Sequence, residues 1–198
     1  KSQEKNLLSL PDYEISSYLE IQKAKNNFEK VILEIGFGNG ENVFKFAKNN
    51  RENFYIASEV YMSGIGQLLG DVINNDLNNV KIVTGDIRLL LEDVTKPIFD
   101  HVVIICPDPW PKLKHHKRRM LNNDFLDLIH KTIKDDGHLF MSTDWKNYAE
   151  SIEEAIDQNE GFIKVKDSIY KEADLTKFQE RAVREGRKIY PFPLKKVS

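Results

Sequence analysis

The chain has 198 residues, enough for one compact α/β domain and short for two. With 31 acidic and 29 basic residues its net charge is −2, so any basic cluster is a local feature and not bulk composition. One cysteine, Cys106, excludes an internal disulfide and a cysteine-rich zinc site, and no apolar run approaches membrane-spanning length. These features, with a start (Lys1–Asn6) unlike a signal peptide, lead us to expect a cytoplasmic protein with no membrane contact.

Residues 1–30 read as a polar N-terminal extension, with Tyr18, Leu19 and Ile21 in a short helix packed on the domain. Val31–Ile35 is the first strand, and Gly36-Phe37-Gly38-Asn39-Gly40 turns it into a helix carrying Val43, Phe46 and Ala47 on one face. Such turns serve both dinucleotides and S-adenosylmethionine. The dinucleotide pattern wants a third small residue where Glu41 stands, and an acid, Glu34, lies inside the strand, which favours S-adenosylmethionine. Phe54–Glu59 is the second strand. Glu59 ends it about twenty residues after the glycines, where an acid can accept both ribose hydroxyls. A helix with Ile65, Leu68, Leu69, Val72 and Ile73 on one face follows. Val80–Thr84 is the third strand, closed by Gly85-Asp86; Asp86 can meet an adenine amine, cap the next helix, or do both.

Phe99–Ile105 is the fourth strand. Its apolar run fits burial on both faces of a parallel sheet. Pro107, Pro109 and Pro111 then forbid helix and strand, leaving Asp108 and Trp110 on a stiff loop at the strand's C-terminal end, where open α/β sheets bind ligands. Of the next eight residues only Leu113 is not basic: Lys112, Lys114, His115, His116, Lys117, Arg118 and Arg119 form a cationic strip. An acid, an indole and a cationic strip together fit a nucleobase to be held and a phosphate backbone to be gripped. Asp136-Gly137 is expected to turn the chain into a fifth strand, His138–Ser142, ended by Thr143-Asp144-Trp145. Phe162–Val165 is a sixth strand. Thr176–Arg181 with Arg184, Arg187 and Lys188 is a second basic segment, and Pro191-Phe192-Pro193 is expected to end order, leaving 191–198 as a tail.

Taken together, these motifs resemble the bacterial tRNA (guanine-N7)-methyltransferases, a branch of the class I S-adenosylmethionine enzymes, across residues 31–190. The resemblance implies a Rossmann-like α/β fold, a mostly parallel seven-stranded sheet with helices on both faces. It implies S-adenosylmethionine contacts at Glu34, Gly36, Gly38, Gly40, Glu59 and Asp86, with Asp108 as the catalytic or cofactor-edge acid. It implies tRNA contacts from Lys112, the strip Lys114 to Arg119, Asp144, Thr176, Lys177, Phe178 and Gln179. It further implies methyl transfer to a guanine of the tRNA variable loop by a monomer or homodimer with no obligatory protein partner. Three positions depart from the family pattern: Cys106 for Phe, read as a conservative core change, Gln179 for Glu, and Ala182 for Gly.

Guanine N7 carries a lone pair and no proton, so no general base is required, and no histidine is placed like one. Rate enhancement then comes from proximity and electrostatics. One carboxylate can accept both N1–H and N2–H of guanine and favour the purine as it becomes cationic; Asp108 is the first choice and Asp144 the second. Trp110 either stacks on the base or anchors the loop. The alternatives are an exocyclic-amine methyltransferase and a non-catalytic RNA-binding module; the acids Glu34, Glu59, Asp86 and Asp108 argue against the module.

Overall fold

The computed structural model describes residues 2–166 and 176–197. Three short helices lead in: α1 (Ser2–Asn6), α2 (Leu10–Tyr13) and α3 (Tyr18–Ala24). Strands and helices then alternate: β1 (Val31–Ile35), α4 (Glu41–Asn49), β2 (Phe54–Glu59), α5 (Met62–Asn74), β3 (Val80–Thr84), α6 (Ile87–Asp93) and β4 (Phe99–Ile105). After a 3-10 stretch at Leu113–Arg118 come α7 (Asn123–Thr132), β5 (Ile133–Thr143), α8 (Lys146–Gln158), β6 (Phe162–Lys164), α9 (Lys177–Arg184) and β7 (Tyr190–Lys196).

The seven strands form one sheet in the order β3-β2-β1-β4-β5-β7-β6, parallel except for β7, which runs against both neighbours. Every residue of β1 and β2 is buried, which is why these strands read as mainly apolar runs, with Glu34, Ser58 and Glu59 the buried polar exceptions. Alternate residues enter two cores. Val31, Leu33 and Ile35 pack with α3, α6, α7 and α8 on one face, and Ile32 packs with α4 and α5 on the other. Strand order reverses between β1 and β4, so the crevice at their C-terminal tips is where a ligand would enter.

The N-terminal helices are tied to this frame. Ser17 and Glu20 form a capping box that starts α3, whose Tyr18 and Ile21 are buried while Leu19 is exposed. The Ile15 amide donates to the Ile82 carbonyl (2.9 Å), and the Asn6 amide donates to Gly66 O (2.9 Å). Among the described residues no helix is long and apolar enough to cross a membrane.

Two expectations are corrected. Asp136-Gly137 does not precede the fifth strand but lies inside it: Asp136 takes φ +63°, the register with β4 slips between Phe99 and His101, and β5 continues through a bulge. Nor does Pro191-Phe192-Pro193 end order, because all three residues belong to β7. Phe192 pairs with Met141 of β5, and the two prolines fall on the alternate positions whose backbone faces β6. Since β6 pairs only with Leu194 to Lys196, no ladder partner goes unsatisfied where the prolines lack N–H.

Candidate active site

The turn after β1 is open on its outer side. Gly36 and Gly38 have φ of +70° and +60°, and a Cβ on either would meet nothing within 4 Å. Both therefore present bare backbone to the crevice. Gly40, by contrast, is a packing glycine: a Cβ there would lie 2.8 Å from that of Leu68. Gly64 of α5 was not singled out from the sequence, yet a Cβ on it would lie 2.0 Å from Gly38 O, so the first turn of α5 is set directly against the glycine turn.

Glu59, buried at the tip of β2, braces this turn. Its Oε2 accepts the Gly38 N–H (2.8 Å), and its Oε1 accepts those of Val60 (2.7 Å) and Tyr61 (3.2 Å). At the tip of β3, Asp86 caps α6 by accepting the Arg88 N–H (3.0 Å). It also takes a forked pair from the Arg88 side chain, Nε to Oδ1 and Nη2 to Oδ2, and these hydrogen bonds are the main reason its carboxyl sits below the usual range. The capping role expected from the sequence is present, and the same carboxylate lines the crevice.

A cavity of about 480 Å³ runs along these tips, bounded by Ile35, Gly38, Glu59, Asp86, Asp108 and Trp110. A second, of about 300 Å³, is bounded by Glu34, Asn39, Glu41, Cys106, Thr176 and Phe178. Gly36, Gly38 and Cys106 line both, so they form the wall between them. Cys106 is thus not a core position. It is half-buried with φ +48°, and burial pushes its thiol up to about 12. Glu34 lies under the second cavity. Its Oε2 accepts the Asn42 amide (2.9 Å), and burial raises its carboxyl to about 7.

The proline loop is held by Arg119. The sequence reading placed Arg119 in the RNA-facing strip, but only 6% of the residue is exposed. Its guanidinium donates to Pro109 O (2.9 Å), Asn147 Oδ1 (2.9 Å) and Ser151 Oγ (3.3 Å), and lies 4.7 Å from the Tyr148 ring centroid. Lys112, Lys114, Lys117 and Arg118 are exposed, while His115 and His116 are half-buried. Trp110 takes φ +42°, with Arg118 over its face at 4.9 Å and His115 against it edge-on at 5.9 Å. The indole is therefore gripped by the strip itself while one side lines the larger cavity.

Asp144 is buried at the tip of β5 and ion-paired with Arg187, a residue whose role the sequence did not reveal. Thr176 and Gln179 form a capping box for α9: the Gln179 N–H donates to Thr176 Oγ1 (3.3 Å) and the Thr176 N–H to Gln179 Oε1 (3.0 Å). The spacing Thr-x-x-Gln carried that signal. Gln179 is buried, and an amide serves this cap as a carboxylate would. Lys177 donates its N–H to Glu41 Oε2 (3.0 Å) and pairs with the same carboxylate through Nζ (3.4 Å), seating α9 on the start of α4. Phe178 stays half-exposed beside the second cavity.

Against known proteins, residues 28–192 match a family model described as "Putative methyltransferase". The tRNA (guanine-N(7)-)-methyltransferase of Nitrosococcus oceani is 37% identical over 167 residues, covering 83% of this chain and 71% of that protein. The protein of the same name from Wolbachia pipientis wMel is 34% identical, covering 93% of this chain and 86% of its own length. Among solved structures, the 16S rRNA methyltransferase KamB superposes with a TM-score of 0.66 at 12% identity, covering 93% of this chain and 96% of that one. The aminoglycoside resistance methyltransferase NpmB1 gives 0.60 at 16% identity, covering 90% and 93%. At these identities the superpositions establish the shared fold alone.

Proposed function

Because the chain belongs to the tRNA (guanine-N7)-methyltransferase family, we propose that it moves a methyl group from S-adenosylmethionine to N7 of a guanine in the tRNA variable loop. The observation that carries this reading is one juxtaposition. An open glycine turn and two strand-tip acids share a cavity with Asp108, and the Asp108 loop runs directly into an exposed cationic strip.

The residues present fit the methyl donor. A Cβ at Gly36 or Gly38 would fill the space the donor needs, Glu59 is placed for its ribose hydroxyls, and Asp86 for its adenine. Glu34 lies beneath the neighbouring cavity, where a cationic amino group would favour its charged form. When bound, S-adenosylmethionine supplies a methyl group on a positively charged sulfur. The chain's own work is then to hold guanine N7 in line with that methyl and to exclude water. Asp108, exposed on the cavity wall, sets a negative charge beside a purine that becomes cationic. With Asp108 given to the developing charge, we assign the Watson–Crick edge to Asp144, the second choice from the sequence, buried one strand away, whose carboxylate matches the fork of N1–H and N2–H. N7 releases no proton, so the histidines need not act as bases. Consistent with this, burial lowers His101 to about 4, which keeps it neutral at working pH. Lys112, Lys114, Lys117 and Arg118 grip phosphates on either side.

Replacing the target guanine by 7-deazaguanine tests the assignment. Carbon bearing hydrogen then occupies the position of the lone pair, so labelled-methyl transfer to unmodified tRNA should vanish while binding is kept. Efficient methylation of the deaza substrate would overturn N7 and promote the exocyclic amine.

A further inference from the structure

We propose that Arg187 is a stand-in for the substrate: its guanidinium occupies, on Asp144, the place that the guanine edge takes during catalysis. This rests on the reading of Asp144 as the acid for the Watson–Crick edge, and adds what holds that acid beforehand.

Three observations carry it. First, the Asp144 side chain is only 4% exposed, lines neither cavity and is ion-paired with Arg187. A guanine that takes this carboxylate must compete with that pair. Second, both ligands are planar N–H donors. Arg187 Nη1 donates to Asp144 Oδ2 while Nη2 is turned to Glu185, so a single guanidinium N–H now satisfies a carboxylate that N1–H and N2–H of guanine could take together. Exchanging one for the other never leaves a buried carboxylate without a donor, the state that would cost most. Third, Arg187 has somewhere to go. It lies between α9 and β7, outside any regular element, and its side chain is one-third exposed. Nη2 already donates to Glu185 Oε2 (2.7 Å), and the guanidinium carbon lies 5.9 Å from the Phe178 ring centroid. Glu185 is exposed and anchored by Arg181 Nε (2.8 Å). Arg187 can swing out on Glu185 while keeping one of its two ion pairs.

A stand-in competes with substrate, whereas a supporting residue assists it, and the two roles predict effects of opposite sign. In Arg187→Ala, KM for unmodified tRNA should fall several-fold with kcat retained. Guanidinium ion at millimolar concentration should then raise KM again, by refilling the vacated place, with little effect on the unsubstituted enzyme. A higher KM or lower kcat in Arg187→Ala that guanidinium restores would overturn the proposal, because that is the behaviour of a support. If Arg187→Ala fails to fold, Arg187→Lys serves: one ammonium cannot bridge Asp144 and Glu185 as the two guanidinium nitrogens do, so Asp144 is held more weakly, KM should again fall, and an equal or higher KM overturns the idea. Asp144→Asn separates the premise from the inference. It should raise KM, and an unchanged KM would remove Asp144 from the guanine edge and the stand-in with it, leaving N7 transfer untouched.

Discussion

The two halves of the strand-tip edge are built differently. On the β1–β3 side the acids are held by near neighbours. Glu59 accepts N–H groups one and two residues ahead and one from the glycine turn, and Asp86 accepts the backbone N–H of Arg88, two residues away, in addition to that residue's side chain. On the β4–β5 side the working groups are held by arginine side chains from afar. Arg119 reaches back ten positions to Pro109 and forward to Asn147 and Ser151, and Arg187 reaches 43 positions to Asp144. Backbone amides cannot rotate away from an acid, whereas arginine side chains can release one partner and take another. The first construction suits a ligand common to many enzymes, and the second suits a base that must enter and leave.

The largest expected effect comes from the exception in the first half. Glu34 is an acid there that, among the described residues, is held by a side-chain amide, that of Asn42. Its folded value of about 7 lies above the ordinary 4.5, so its favourable contribution is complete below about pH 4.5 and is lost as pH rises through about 7. The difference corresponds to roughly 3 kcal/mol. Denaturant unfolding of the ligand-free protein should show that decline, and Glu34→Gln should flatten it. An unchanged profile would mean that Glu34 is held like its neighbours.

Arg119→Met should destabilise the fold by about 2–3 kcal/mol, since it strands three acceptors and loses the Tyr148 contact. Calorimetry reads that loss, and tRNA titrations should show an unchanged salt slope. If the slope drops as it would for an exposed lysine, Arg119 belongs to the strip after all.

For Glu59→Ala we expect weaker S-adenosylmethionine binding by about 1.5–3 kcal/mol, with tRNA affinity little altered. Titration calorimetry that finds cofactor affinity intact would leave Glu59 as a brace only.

The smallest effect per residue belongs to the exposed cations. Neutralising Lys112, Lys114, Lys117 and Arg118 should lower the log–log salt slope of tRNA binding by about 0.9 for each duplex phosphate lost, less on single strands. A slope that stays put in filter-binding titrations would make the strip a solvated surface.

The same contrast explains what could be read from the chain. The limits of β1 to β4, the glycine turn and the strand-tip places of Glu59 and Asp86 were legible because each rests on residues close in sequence. The box of Thr176 and Gln179 was equally local and passed over, since the basic residues around it drew the reading toward RNA. Arg119 could not be told from Arg118 within a run of like charges; only the docking of α8 beneath the loop distinguishes them. Arg187 and Asp144 meet because β7 returns antiparallel beside β5, a tertiary fact that no local pattern carries.

The prolines of β7 have a further consequence, for self-association. A sheet that ends in a bare row of N–H and C=O groups is a template for another chain. Among the described residues no strand covers β7 past Lys164, and there Pro191 and Pro193 remove the donors that a docking strand would need. The Pro193 carbonyl is already taken by the Val165 amide (3.0 Å). Along this stretch the edge therefore offers a second strand two fewer donors for edge-to-edge pairing. Replacing both prolines by valine would restore two donors to that edge and create a surface on which a second copy could polymerise.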